Sequence, residues 1–148
     1  MVDLPNPIPK EIVDGAVRFH GHLGPFLILG LKAGLFANDV LGKDYFKTTV
    51  IVETDPTPPC SCFLDGIQFA TGCTMGKGNV VLETGHSLRA LFMKKGKKIK
   101  MSLKDHILES LKGISSKEMC EKTATNLSKK SVLQLFDVEE YINDNSDG

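Results

Sequence analysis

Histidine and cysteine residues gather in two short segments of this chain. His20 and His22 form a His-x-His pattern in a turn after a predicted helix, and three of the four cysteines fall between Cys60 and Cys73. Neutral imidazole and thiolate are donors that transition metals prefer. These residues predict one transition-metal site, with zinc as the metal. Its candidate ligands are His20, His22, Cys62, Cys73 and Cys60.

Cys62 follows Ser61, a predicted helix cap, so the helix dipole should lower the pKa of its thiol and favour the thiolate. Cys73 lies beyond Gly72, the glycine expected to end the same helix, roughly 15 Å away along the axis. Both sulfurs reach one ion only if Gly72 folds the chain back. Otherwise Cys73 serves another part of the site or a partner subunit. A further alternative is that the thiols are small buried core residues.

Polar residues in and after the Cys62 helix are candidates for supporting roles. Asp65 lies on the same helical face as Cys62 and could orient an imidazole, with solvated helix surface as the alternative. The glycine-rich turn 72–79 precedes a strand, which argues against a P-loop. We expect this turn to present Lys77 and Asn79 to a pocket, where Lys77 could neutralise an anionic ligand or lower the pKa of a thiol. The candidates are catalytic Cys62, Lys77 and Asp65, and cofactor-binding Gln68 and Asn79.

Helices and strands that would position these residues can be predicted from periodicity and caps. Predicted helices run from about Pro9 to Phe19, from Pro25 to Leu41 and from Ser61 to Gly72, and two more open at the capping patterns Ser102/Asp105 and Ser115/Glu118. Predicted strands cover 48–54, 79–83 and 97–101, the run 94–98 is a solvated hairpin, and Tyr141 to Gly148 is a frayed tail. This order predicts an α+β fold, with residues 1–101 as the metal-binding core and 102–148 as a C-terminal helical extension of the same domain.

Composition excludes some classes of partner. Lysine plus arginine and aspartate plus glutamate number 18 each, so the formal net charge is zero and nothing favours nucleic acid or an anionic membrane. We find no apolar run long enough to span a bilayer and no signal-peptide pattern at the N-terminus. A cytoplasmic protein is therefore expected, in which cysteines act as thiols or metal ligands.

Two motifs resemble a known family. FHGHLGP (19–25) and SCFLDGIQFATGCTMGKGN (61–79) are similar to the family of proteins that resemble the E-subunit of formylmethanofuran dehydrogenase, and the resemblance runs from about Glu11 to Lys100. It implies an α+β domain, with helices packed on a small mixed sheet, that forms an intertwined homodimer with a metal-binding cleft lined by His and Cys. The matching positions are His20, His22, Cys62, Asp65, Gln68, Cys73, Lys77 and Asn79.

The chain also departs from that family. Many relatives have a cysteine where this chain has Gly24, so the ligand set is smaller here or Cys60 compensates. The C-terminal zinc finger of some longer relatives is missing, so its partner-binding role is not implied. The dehydrogenase reaction needs a molybdenum or tungsten pterin and iron–sulfur clusters, which nothing in this sequence could hold. The chain is an accessory to such an enzyme at most.

Three hypotheses follow for the function. The first is a small homodimeric metalloprotein in which His20, His22, Cys62 and Cys73 leave one metal position open to a small ligand. The second is a metal-free thiol enzyme, with Cys62 as nucleophile, Lys77 lowering its pKa and a histidine as base. The third is an accessory or carrier subunit of a larger oxidoreductase. The sequence does not identify a reaction or a substrate.

Overall fold

A computed structural model describes residues 6–142 of the chain. Within this range, the main helices are α1 (Lys10–His20), α2 (Pro25–Leu41), α3 (Cys62–Thr71), α4 (Asp105–Ser110), α5 (Lys117–Ser128) and α6 (Val132–Leu135), and a short 3-10 helix covers Met75–Lys77. The strands are β1 (Thr49–Thr54), β2 (Val80–Thr84), β3 (Arg89–Lys94), β4 (Lys97–Leu103) and β5 (Phe136–Ile142). Among the described residues, no helix has the length and apolar character that crossing a bilayer requires.

The strands form one mixed sheet in the order β2-β1-β3-β4-β5. β1 and β2 are parallel and are connected through α3, whereas β3, β4 and β5 each pair antiparallel with their neighbours. Buried residues alternate along β1, because side chains of a strand point to opposite faces, and Val50 and Val52 belong to the core with Phe63 and Ile67 of α3. The predicted α+β class, with helices packed on a small mixed sheet, is confirmed.

Helices α2 and α3 pack against each other through small residues. A Cβ atom added to Gly30 would lie 2.9 Å from the Cα of Gly66, and one added to Gly34 would lie 2.7 Å from the Cβ of Ala70. The backbones therefore approach closely where side chains are absent. Because residue numbers rise together on both helices, the helices run parallel. Their N-terminal ends consequently lie at the same end of the pair.

The predicted elements are present, with several corrections. Lys94 pairs with Lys97 across Lys95 and Gly96, which both have positive φ, so the predicted hairpin is confirmed. The first half of that hairpin, β3, was not predicted, and neither were α6 and β5. Residues 141 and 142, expected in a frayed tail, belong to β5, and the rest of that tail lies outside the described residues.

The predicted helix caps were only partly right. Ser61 and Gly72 are the cap residues of α3, although the Ser61 side chain makes no capping hydrogen bond, whereas Ser102 lies within β4 and the cap of α5 is Ser116, not Ser115. The capping box occurs instead at the start of α6, between Ser131 and Gln134. Residues 102–142 therefore contribute a strand to the sheet as well as helices. The division of the chain at residues 101 and 102 stays a prediction.

Candidate metal centre

The two histidines are placed by the junction between α1 and α2. His20 is the last residue of α1, and Gly21 ends that helix with φ of +111°, its N–H donating to the carbonyl of Val17. Gly24 and Pro25 then open α2, because proline suits the first turn of a helix. Four residues therefore separate the two helices, and the two imidazole rings lie with their centroids 4.6 Å apart.

Cys62 meets these histidines because it begins α3. One potential ligand atom from each of His20, His22 and Cys62 lies within 4.8 Å of the others, and this set forms a His/Cys group that could hold a metal ion. The parallel packing of α2 and α3 explains the meeting. Gly30 contacts Gly66 and Gly34 contacts Ala70, so the same register one turn earlier brings the start of α2 to the start of α3.

Asp65 holds one of the two imidazoles in a fixed orientation. The Nδ1 atom of His20 lies 2.6 Å from Oδ2 of Asp65, so Nδ1 carries the proton and donates it to the carboxylate. The Nε2 atom of His20 is then left with a free lone pair. In the described part of the chain it is buried and has no hydrogen-bond partner. A carboxylate that fixes the tautomer in this way is typical of metal-ligating histidines.

The protonation of the other two donors follows from their surroundings. Partial burial lowers the pKa of the largely exposed His22 ring below its ordinary value of 6.5, so the ring is mostly neutral at pH 7. Burial raises the pKa of the Cys62 thiol, and Asp65 and Cys60 raise it further. The expected lowering of this pKa by the helix N-terminus is therefore wrong, because desolvation of the thiolate outweighs the dipole. In the absence of a metal, Cys62 is a neutral thiol.

Cys73 lies elsewhere in the core. Its side chain is fully buried, its Sγ donates to the carbonyl oxygen of Thr48 at 3.3 Å, and its backbone N–H donates to Oγ1 of Thr71. Gly72 does reverse the chain, with φ of +77°, but the turn leads to β2 and away from the histidines. Neither Cys73 nor half-buried Cys60 belongs to the His20/His22/Cys62 group. The structure thus brings together three of the five candidate ligands.

The polar candidates in and beside the glycine-rich turn form hydrogen bonds to backbone groups of the turn and of the loop before β1. Lys77 Nζ and Asn79 Nδ2 both donate to the carbonyl oxygen of Tyr45, at 2.7 and 3.0 Å. Gln68 Oε1 accepts from the N–H of Met75 at 2.9 Å. These contacts brace the turn 72–79. A cofactor-binding role for Gln68 and Asn79 stays a prediction.

Thr54 is a residue that the sequence did not single out. It ends β1 and is fully buried, and its hydroxyl is, with His20 Nε2, one of the two buried side-chain polar atoms without a partner among the described residues. Buried hydroxyls usually make a hydrogen bond. No signal in the sequence marks it, since threonine is common in strands.

Comparison with known proteins agrees with the fold and with the motifs. The model of the family described as "FmdE, Molybdenum formylmethanofuran dehydrogenase operon" matches residues 19–143. A solved structure from Syntrophus aciditrophicus, of a protein similar to the E-subunit (FmdE) of tungsten formylmethanofuran dehydrogenase, superposes with a TM-score of 0.64, over 98% of this chain and 79% of that one. At 18% identity, this likeness shows a shared fold.

A second similar protein matches only part of the chain. The probable S-adenosyl-L-methionine-binding protein of Archaeoglobus fulgidus is 33% identical over 83 residues, which is 54% of this chain. The match covers 23% of that relative, so this chain corresponds to less than a quarter of its length. Because the family model covers most of the chain, including both the His-x-His turn and the start of α3, this chain belongs to the FmdE family.

Proposed function

We propose that this protein binds one transition-metal ion, zinc, through His20 Nε2, His22 and the Cys62 thiolate. The observation that carries the proposal is the buried, unpartnered Nε2 of His20, whose ring Asp65 orients from the opposite side. Leaving a buried polar atom without a partner costs about 1–3 kcal/mol, and a bound metal removes that cost. Two imidazoles and one thiolate are a donor set that suits zinc.

Three protein donors would leave one position of a four-coordinate metal open. A bound zinc ion would lower the pKa of a water molecule there or polarise a carbonyl group. The protein's own part is to hold Cys62 buried at the start of α3 and to keep the imidazole of His20 fixed through Asp65. Metal binding must also displace the proton from Cys62, whose pKa burial raises.

The metal-free thiol enzyme has less support. That mechanism needs Lys77 beside Cys62, but the ammonium group of Lys77 donates to Tyr45 and lies over the rings of Tyr45 and Phe46. Burial raises the pKa of Cys73, and the charge of Lys77 offsets part of that rise there, not at Cys62. A neutral, buried thiol is a poor nucleophile. The metal-binding hypothesis is therefore the stronger one.

Metal content tests the proposal directly. Protein purified without added metal should contain about one zinc ion per chain by elemental analysis, and Cys62→Ala or His22→Ala should abolish it. Cys73→Ala is the matched control, because it removes a buried thiol outside the group and should leave the metal content unchanged. Asp65→Asn should keep the metal but weaken its affinity about 10–100-fold.

The opposite pattern would contradict the assignment. Metal that is lost in Cys73→Ala and kept in Cys62→Ala would place the site at the other end of α3. Wild-type protein that contains no metal and binds none from a zinc-buffered solution would end the proposal. Circular dichroism of each variant would separate loss of ligand from loss of fold.

Partners and location complete the proposal. The family's description refers to a formylmethanofuran dehydrogenase operon, which supports an accessory or carrier role beside a larger oxidoreductase. We propose a homodimer as the free form, because large apolar side chains such as Phe46, 76% exposed, mark surfaces that other chains cover. Light scattering would test the homodimer, and co-purification with a larger oxidoreductase would test the accessory role. The four cysteines are free, which suits a reducing cytoplasm.

A further inference from the structure

A cavity of about 500 Å³ opens beside Cys60, outside the His20/His22/Cys62 group. Its size falls in the range of pockets that hold small-molecule ligands. The walls come from the start of α2, the loop after β1, the loop before β3 and the segment that follows α4. Its apolar lining residues are Phe26, Pro59, Leu88, Leu108, Leu111 and Ile114.

Polar groups in the wall are placed to orient a ligand. Thr54 lines the cavity, and its buried hydroxyl has no hydrogen-bond partner in the described part of the chain. The Cys60 thiol lines the cavity as well, and a thiol is a weak hydrogen-bond donor. An apolar cavity with a few convergent polar groups is the usual form of a ligand site.

Two nitrogen-bearing side chains at the cavity can donate hydrogen bonds to an anionic group. Lys112 and His86 line the cavity, together with one carboxylate, Asp55. Oδ1 of Asp55 already accepts two hydrogen bonds, from the N–H and the hydroxyl of Thr57. Lys112 pairs with Glu109, but both side chains are exposed, so the pair is weak and Lys112 can turn toward a ligand.

The cavity adjoins the candidate metal centre. Cys60 lines it, and Cys60 lies two residues before Cys62 in the segment that leads into α3. Phe26 lines it as well, in the first turn of α2, and the α2–α3 register places Phe26 beside Cys62. One wall of the cavity is therefore built from the start of α2, which follows the His22 turn, and from the segment that leads into α3.

We propose that this cavity binds a small molecule with an apolar ring system and one anionic group, and that this molecule is the ligand presented to the open metal position. The second part rests on the proposed metal function, and the first does not. The ring system packs between Phe26 and the leucines. The anionic group lies toward Lys112 and His86, and a polar atom of the ring system meets Thr54.

Naphthalene dyes test the first part. The anionic probe 1-anilinonaphthalene-8-sulfonate should bind the native protein saturably, about one per chain, and tighter than neutral N-phenyl-1-naphthylamine. Lys112→Gln should weaken the anionic dye about two- to fivefold and leave the neutral dye unchanged, as expected for one exposed charge pair. Lys117→Gln, an exposed lysine at the start of α5, is the matched control. Ile114→Trp should block both dyes.

Other results would overturn the cavity assignment. The assignment fails if dye binding is not saturable. It also fails if Ile114→Trp and Lys112→Gln leave dye binding unchanged. 9-Aminoacridine, a cationic ring system that has no anionic group, is the contrasting probe. If it displaces the anionic dye with higher affinity, the inferred anionic group is wrong.

Cobalt spectroscopy tests the second part. In cobalt-substituted wild-type protein, saturation with the anionic dye should change the visible d–d bands of the metal, and Ile114→Trp should not show this change. His22→Ala should lose cobalt and still bind the dye, so failure of the metal site and failure of the cavity give different results. Dye binding without any change in the cobalt bands would overturn the link between the two sites.

Discussion

Gly24→Cys should add a fourth ligand to the metal centre. Gly24 caps α2 with φ of −143° and ψ of 164°, an extended conformation that any residue adopts. A Cβ atom built there would lie 3.1 Å from Nε2 of His22, so a cysteine sulfur would enter the space beside the His20/His22/Cys62 group. The exposed ring of His22 can move by the few tenths of an ångström that this contact requires.

The gain in affinity can be estimated from complete zinc sites. Four-ligand structural sites contribute about 10–16 kcal/mol, so one ligand is worth roughly 3 kcal/mol. Since 1.4 kcal/mol is tenfold in a binding constant, the Kd for zinc should fall about a hundredfold. The new thiolate, as the fourth ligand, would occupy the open position, so the dye-induced change in the cobalt spectrum should disappear in Gly24→Cys.

Competition with a chelator would measure the zinc affinity, and Gly24→Ala is the control. Alanine introduces the same Cβ contact with His22 but no sulfur, so it should not tighten zinc binding. Charge-transfer absorption of the cobalt form should also rise in Gly24→Cys, because a second thiolate contributes. If Gly24→Cys binds zinc no more tightly than Gly24→Ala, the placement of the metal beside Nε2 of His22 is refuted.

Two further predictions concern stability. Lys32 is 2% exposed, donates to the carbonyl of Asn6, and has its pKa lowered from 10.5 to about 8 by burial. As the pH rises, the folded state therefore loses this proton before the unfolded state does, so the free energy of unfolding should increase between about pH 8 and 10.5. In urea titrations, Lys32→Met should remove that increase and add up to about 3 kcal/mol to the free energy of unfolding at pH 7. A wild-type free energy of unfolding that changes as little with pH as the variant's over this window would contradict the buried charge. Gly66→Ala should destabilise the fold by about 3 kcal/mol or more by thermal unfolding, because its Cβ would lie 2.3 Å from the carbonyl oxygen of Leu27, whereas Gly76→Ala, with its nearest contact at 3.9 Å, should cost little.

Local patterns in the sequence predicted the elements that carry the donors. Gly21 and Pro25 mark the end of α1 and the start of α2, so the position of His22 in a tight turn followed from neighbouring residues. The spacing of Asp65 after Cys62 was enough to suggest an acceptor for an imidazole, and the structure makes that contact with His20. These features depend on residues that are close along the chain.

Features that depend on distant contacts were not predictable in the same way. Cys73 looked equivalent to Cys62, and only the path of the chain into β2 shows that its thiol reaches Thr48. β5 was missed because Asp137, Glu139 and Glu140 are residue types that strands seldom contain, and because most of its side chains are exposed at the edge of the sheet. Its pairing with β4 links residues that are far apart in the sequence.

The small residues of α2 and α3 determine where the candidate metal donors lie in the fold. Gly30 and Gly34 face Gly66 and Ala70, so both helices carry small residues at a spacing of one turn and can only pack this closely in one parallel register. That register sets which ends of the helices meet, and the donors sit at those ends. A metal held there binds only the folded chain and stabilises it by mass action. Changes in the helix contact should therefore shift metal affinity and the free energy of unfolding together, which a site carried on a flexible loop would not show.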